Sequence, residues 1–169
     1  MICLDGYKAF NSGLVNRYGA KFEVGKIYSV DTTSRKITYG NDGYGFHFAS
    51  RPEDCFRYFD AMNDIVDITK VSALGDVQEY FDDYYGYYDL YVTSSIRIDQ
   101  ILTREEIINH ILLCNNISRL VRFISLYKLN SDEIDFIVSM FNIDDVIKAI
   151  YYYQYNDKDV YTRKLEKYL

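Results

Sequence analysis

Apolar and polar residues alternate with a period of two through much of the first 50 positions, the pattern of half-buried strands. Tyr7-Lys8-Ala9-Phe10 alternates and is followed by Asn11-Ser12-Gly13, which has turn chemistry. Lys21-Phe22-Glu23-Val24 alternates again and stops at Gly25. Lys26-Ile27-Tyr28-Ser29-Val30 reads as a strand entering a turn at Asp31–Ser34, with Lys36-Ile37-Thr38-Tyr39 as its hairpin partner. After the Gly40-Asn41-Asp42-Gly43 turn, Tyr44–Ala49 reads as an aromatic strand inside the sheet. Val66–Ala73 and Leu90–Ile101 are expected as two further strands, the second with Val92, Ser94, Ile96 and Ile98 on one face.

The helical period of 3.6 first replaces this alternation after Ser50. Ser50-Arg51-Pro52-Glu53 has capping-box spacing, Pro52 suits a first turn, and Cys55, Phe56, Phe59 and Met62 form an apolar stripe. From Thr103 onward the pattern is helical throughout. Thr103-x-x-Glu106 is a second capping box, Ser131 and Asp144 head two helices, and Asp157 heads the last. Ile107, Leu120, Ile134, Ile147 and Val160 recur every 13 or 14 residues, which implies short antiparallel helices joined by tight links. The fold class expected is α+β: a mostly antiparallel sheet with one capped helix over residues 1–102, then a bundle or short repeat of helices over 103–169.

Composition narrows the setting. The chain of 169 residues has 49% hydrophobic and 26% charged residues, a globular balance, and lacks the run of about 20 apolar residues that spans a bilayer. Cys3, Cys55 and Cys114 are odd in number and widely spaced, which reads as reduced thiols, and no signal peptide opens the chain. A cytoplasmic location follows, that of the host cell if the protein is viral. Two histidines 63 residues apart and no Cys-x-x-Cys give a zinc site no support. Gly40–Gly45 has glycines but no Lys-Ser/Thr and opens no helix, and no Gly-x-Ser-x-Gly elbow occurs, so no cofactor is implied.

The order Tyr7-Lys8-x-Phe10, Phe22-x-Val24-Gly25-Lys26-x-Tyr28, Gly45-Phe46-His47, Pro52-x-Asp54 with Tyr58-Phe59, then Val71 and Gly75, carries a resemblance. It resembles an uncharacterised domain of bacteriophage, bacterial and large DNA virus proteins, over about residues 5–106. Phe48-Ala49 and an acidic segment at 76–89 depart from that family's pattern. The resemblance implies a fold and a viral or phage context, and no activity.

Net charge is −6, and nearly all of it lies in residues 71–102. Between Lys70 and Arg97 there is no basic residue, whereas Asp76, Glu79, Asp82, Asp83 and Asp89 interleave with Tyr80, Tyr84, Tyr85, Tyr87 and Tyr88. Three readings stay open: a long surface loop or short helix folded onto the sheet by its rings, a protein-binding surface, or a carbohydrate or cation site. Tyrosine suits interface anchors and acidic groups steer a basic partner, so a non-enzymatic accessory protein binding a basic host protein is the leading expectation. Direct nucleic-acid binding is disfavoured, because Lys and Arg are nowhere clustered. A second expectation is an ADP-ribosyltransferase-like enzyme or inactive relative, with Lys8, Ser50 and Asp99 or Glu79 in comparable order and a cleft near Lys8, His47 and Ser50. The third is self-association of a structural viral protein through the helical tail.

Overall fold

The computed structural model describes residues 4–40, 43–58, 66–81, 89–114, 116–156 and 162–169. Among these residues seven strands form one antiparallel sheet: β1 (Leu4–Asn11), β2 (Ile27–Ser29), β3 (Phe46–Ala49), β4 (Val66–Ala73), β5 (Val77–Phe81), β6 (Asp89–Thr93) and β7 (Ser95–Ile101). Four α-helices follow among the described residues: α1 (Arg104–Leu112), α2 (Ile117–Leu126), α3 (Ser131–Ser139) and α4 (Ile143–Asn156). The α+β class, an antiparallel sheet followed by short helices, is as the periodicity implies.

The strand order is β2-β7-β4-β1-β3-β6-β5. β4 and β5 are separated by three residues, β6 and β7 by Ser94 alone. They run as one long bent ribbon, because β4 pairs with β7 and β5 with β6. The bend is tied by Leu74 N–H to Ser95 O at 2.9 Å, Ser94 N–H to Asp76 O at 3.0 Å and Asp76 N–H to Ser94 Oγ at 2.9 Å. β4 then pairs with β1, β1 with β3 and β3 with β6, so the pairings close on themselves as in a small barrel. Alternation along each strand sends Phe10, Phe48, Val71, Ile96 and Ile98 to the enclosed face, joined by Phe22 from a loop. Ala9, Ala49, Ile68 and Leu90 lie on the outer face, in one apolar cluster with Ile107, Ile111, Leu120, Ile124, Ile137, Ile150 and Leu165.

Four local expectations change. Residues 21–24 form a single bridge, Lys21 to Val15, because Phe22 turns inward as a plug and its N–H bonds to Leu14 O. Residues 36–39 do not pair with β2. Thr38 bridges Tyr44, and β2 joins β7 instead. The expected strand 90–101 divides at Ser94, so Val92 faces outward opposite His47 while Ile96 and Ile98 face inward. The helix after Ser50 is a 3-10 helix, Pro52–Tyr58, and residues 59–65 lie outside the described part.

Among the helices, the Thr103/Glu106 box is formed as the spacing implies. The caps of α3 and α4 sit one and two residues earlier than expected. Asn130 makes a capping box with Glu133, and the Asn142 side chain accepts from the Asp144 and Asp145 amides. Ile107, Leu120 and Ile134 are buried as the repeat predicts, but on α4 the buried positions are Val146, Ala149 and Ile150, with Ile147 half-buried. Asp157 and Val160 lie outside the described residues, and a 3-10 helix, Thr162–Tyr168, ends the chain. An ion pair of 3.6 Å between buried Asp54 and Arg119 links the first 3-10 helix to α2. Among the described residues no helix is long and apolar enough to cross a membrane.

Gly75 sits at the ribbon's bend, where a Cβ would meet Ser94 Oγ at 2.2 Å and Ser95 N at 2.9 Å. Gly75→Ala is therefore expected to destabilise the fold by about 1–3 kcal/mol, the usual cost of overpacking. Urea unfolding measures it, and an unchanged midpoint would show that the bend has slack.

Candidate functional site

β1 and β3 meet, among the described residues, at the register pair Tyr7 and Ala49, and then diverge. The divergence leaves a seam in the barrel wall. Lys8 reaches across it and donates from Nζ to His47 O at 2.7 Å, taking the place of a ladder bond. A cavity of about 170 Å³ opens here, lined by Lys8, Ala9, Asn16, Arg17, Tyr18, Phe22, Gly40, Gly43, Gly45, Phe46, His47, Phe48, Ala49 and Cys55. Two turns build its rim. In one, the Asn16 side chain accepts from the Tyr18 and Ala20 amides, which places Arg17 against the Tyr18 ring at 4.7 Å. In the other, the Thr38–Tyr44 bridge brings Gly43 beside the His47 ring, where a Cβ would lie 2.7 Å from Nε2.

The described lining residues include Lys8 and Arg17 and no carboxylate. Burial, reinforced by the Arg17 charge, pulls the Lys8 ammonium down from its ordinary 10.5 to about 8. Burial, then the Lys8 and Arg17 charges, lowers His47 to about 4, so it is neutral at physiological pH. Burial raises the Cys55 thiol well above its ordinary value, with Asp54 adding to the effect. Lys8 Nζ also lies 5.5 Å from the Phe10 ring centroid. A half-buried cation whose partners among the described residues are a carbonyl and a ring is costly, by several kcal/mol in an apolar setting, unless an anion joins it.

The sequence-derived candidates separate in space. Lys8 and His47 share the seam, but Ser50 lines a second cavity of about 310 Å³ with Tyr7, Arg51, Glu53, His110 and Cys114, where the Tyr7 hydroxyl meets His110 Nε2 at 3.3 Å. Asp99 is tied to Arg97 at 2.5 Å and to the Ser72 hydroxyl at 2.7 Å. Neither Ser50 nor Asp99 lines the seam. The acidic segment is neither loop nor helix over 77–81, where it is β5 paired to β6; Asp76 is exposed in the ribbon's bend, and Asp89 opens β6 with its backbone paired to Phe81. Glu79 accepts a hydrogen bond from Tyr91 Oη on one face of β5. Tyr80 is on the other face, stacked on Tyr39 at 4.1 Å, and Tyr39 meets the His47 ring edge-on at 5.0 Å. Asp82, Asp83, Tyr84, Tyr85, Tyr87 and Tyr88 lie outside the described residues. Among the described residues no group of three or more His, Cys, Asp or Glu could hold a metal ion.

Sequence reasoning passed over Arg17. Its neighbours offer only turn chemistry, and the signal that could have found it is the Asn16-x-x-Gly19 turn beside a lone basic residue.

Residues 4–110 match the family model for the domain of unknown function DUF7666. The chain belongs to this family. The match reaches beyond the sheet through most of α1, so the DUF7666 unit includes all the described lining of the first cavity and that of the second up to His110, with Leu113 and Cys114 beyond it. No curated protein and no solved structure matches the chain.

Lys8 keeps its proton up to about pH 10.5 in the unfolded chain but only to about 8 when folded. Between those values the unfolded state holds the extra proton, so this group's contribution to stability rises with pH across that window. Urea unfolding of the DUF7666 protein and its Lys8→Met variant should show the difference moving toward the wild type by up to about 3 kcal/mol from pH 7 to about 10.5. A difference flat with pH would mean that Lys8 titrates at its ordinary value.

Proposed function

We propose that this DUF7666 domain binds a small anionic molecule in the seam between β1 and β3, held by Lys8 and Arg17. The observation that carries the reading is the half-buried Lys8 ammonium, which has no carboxylate partner among the described residues. An anion beside it would be strongly favoured, since charge-assisted hydrogen bonds strengthen where water is excluded. The walls suit a compact ligand with an apolar body: Phe22, Phe46 and Phe48 line one side, and the glycines of the rim leave backbone close by. The volume of about 170 Å³ lies below the roughly 300–1,000 Å³ of drug-sized pockets, which favours a small metabolite. Thermal melting with inorganic phosphate, oxalate, pyruvate and citrate tests it. At least one should raise the melting point, by the equivalent of about 2.7 kcal/mol at a hundredfold excess over Kd. Lys8→Met should abolish that rise, and no response to any of the four would overturn the reading.

A second reading keeps the acidic edge as a partner surface for a basic host protein, in the viral or phage setting that the motif order suggests. Its support is the position of β5 at the sheet's edge, with Gln78, Glu79 and Tyr80 exposed. Asp76→Asn combined with Glu79→Gln is expected to weaken capture of a basic partner and to lower its on-rate without changing the melting point. Capture equal to that of the wild type at low salt would remove this reading.

A further inference from the structure

Lys8 and Cys55 are the strong nucleophiles lining the seam, and they differ in readiness. The Cys55 thiol is buried and held protonated far above neutrality. The Lys8 amine faces the cavity from a strand, a rigid element, and its contact with His47 O uses a single N–H. We propose that Lys8 forms a reversible imine with a small 2-oxo acid bound in the seam. This rests on the anion-binding reading and names the class of ligand.

Three features of the site point to this chemistry. Lysine becomes a nucleophile when it is desolvated in an apolar pocket or set beside another cation, and Lys8 has both: aromatic walls around it and the Arg17 charge nearby. No carboxylate among the described lining residues pins the amine as an ammonium salt. The two cations are also unequal in placement. Lys8 spans the seam, while Arg17 is an exposed residue of the rim. A 2-oxo acid offers a matching pair of groups, with its carboxylate toward Arg17 and its carbonyl carbon toward Lys8 Nζ.

The step balances without a further reactant. The ammonium first loses one proton to water at the cavity mouth, for which its pKa of about 8 is suited. The freed lone pair forms a C–N bond to the carbonyl carbon, and the C=O π pair moves to oxygen, which takes a proton. The carbinolamine then loses that oxygen as water, together with a proton from nitrogen, leaving C=N. Hydrolysis reverses the sequence, so no electrons are exchanged.

The test incubates the full chain with pyruvate and sodium cyanoborohydride, which reduces an imine to a stable secondary amine, and locates the adduct by peptide mass mapping. Lactate, which lacks the carbonyl, is the control. The expected result is one adduct per chain, on Lys8, at least tenfold above any other lysine, and none with lactate. Lys8→Arg keeps a cation in the seam and should lose the adduct while oxalate still raises its melting point. An adduct spread evenly over the lysines, or none on Lys8, would overturn the imine. If oxalate or phosphate still stabilises the wild type in that case, the anion-binding reading stands alone. If no anion stabilises it, both fall together.

Discussion

The rest of the molecule depends on the bend shared by the β4–β5 and β6–β7 segments. Three hydrogen bonds among Leu74, Asp76, Ser94 and Ser95 hold it, and Gly75 leaves the space that Ser94 Oγ occupies. A flat ribbon would extend the sheet in one direction. The bent one returns to it from the other side, pairing with β1 along β4 and with β3 along β6. Closure gives the inward residues a common interior that no single strand pair could enclose, and leaves the outer face to the helices.

Closure also concentrates the irregularity in one place. β1 is fully paired to β4 from Leu4 to Asn11, and β3 to β6 from Phe46 to Ala49, whereas among the described residues β1 and β3 share only the register pair Tyr7 and Ala49. The seam is the remainder. Its exposed carbonyl needs a donor, and the Lys8 side chain supplies one at the cost of drawing a cation out of water. The same burial that completes the wall thus lowers the Lys8 pKa and, with the Lys8 and Arg17 charges, keeps His47 neutral.

The helices support this arrangement from outside. Asp54 and Arg119 form a buried ion pair across the first 3-10 helix and α2, and Tyr7 on β1 meets His110 on α1. These contacts hold β1 and the segment after β3, the two flanks of the seam. The Tyr7–His110 contact gives a physical reason for a DUF7666 match that reaches residue 110 on α1 and does not stop where the last strand ends.

The sequence by itself determined the class of the longer elements and a few of their ends. Period-two alternation identified β1, β3 and β4, and the Thr103/Glu106 box marked the start of the helices, because these signals depend on neighbours within a turn or a strand. It also placed Lys8, His47 and Gly75 among the positions of interest. Pairing partners were decided only by tertiary structure. Residues 36–39 lie beside β2 in the chain yet bridge to Tyr44, and the stretch 90–101, whose even positions Val92, Ser94, Ile96 and Ile98 read as one face of a single strand, divides at Ser94 so that Val92 faces outward and Ile96 and Ile98 inward. The site follows the same division. Lys8, Arg17 and His47 carry no spacing that marks them as a set. Only the failure of β1 and β3 to stay paired makes them neighbours, and Ser50, three residues from His47, is turned to the other cavity.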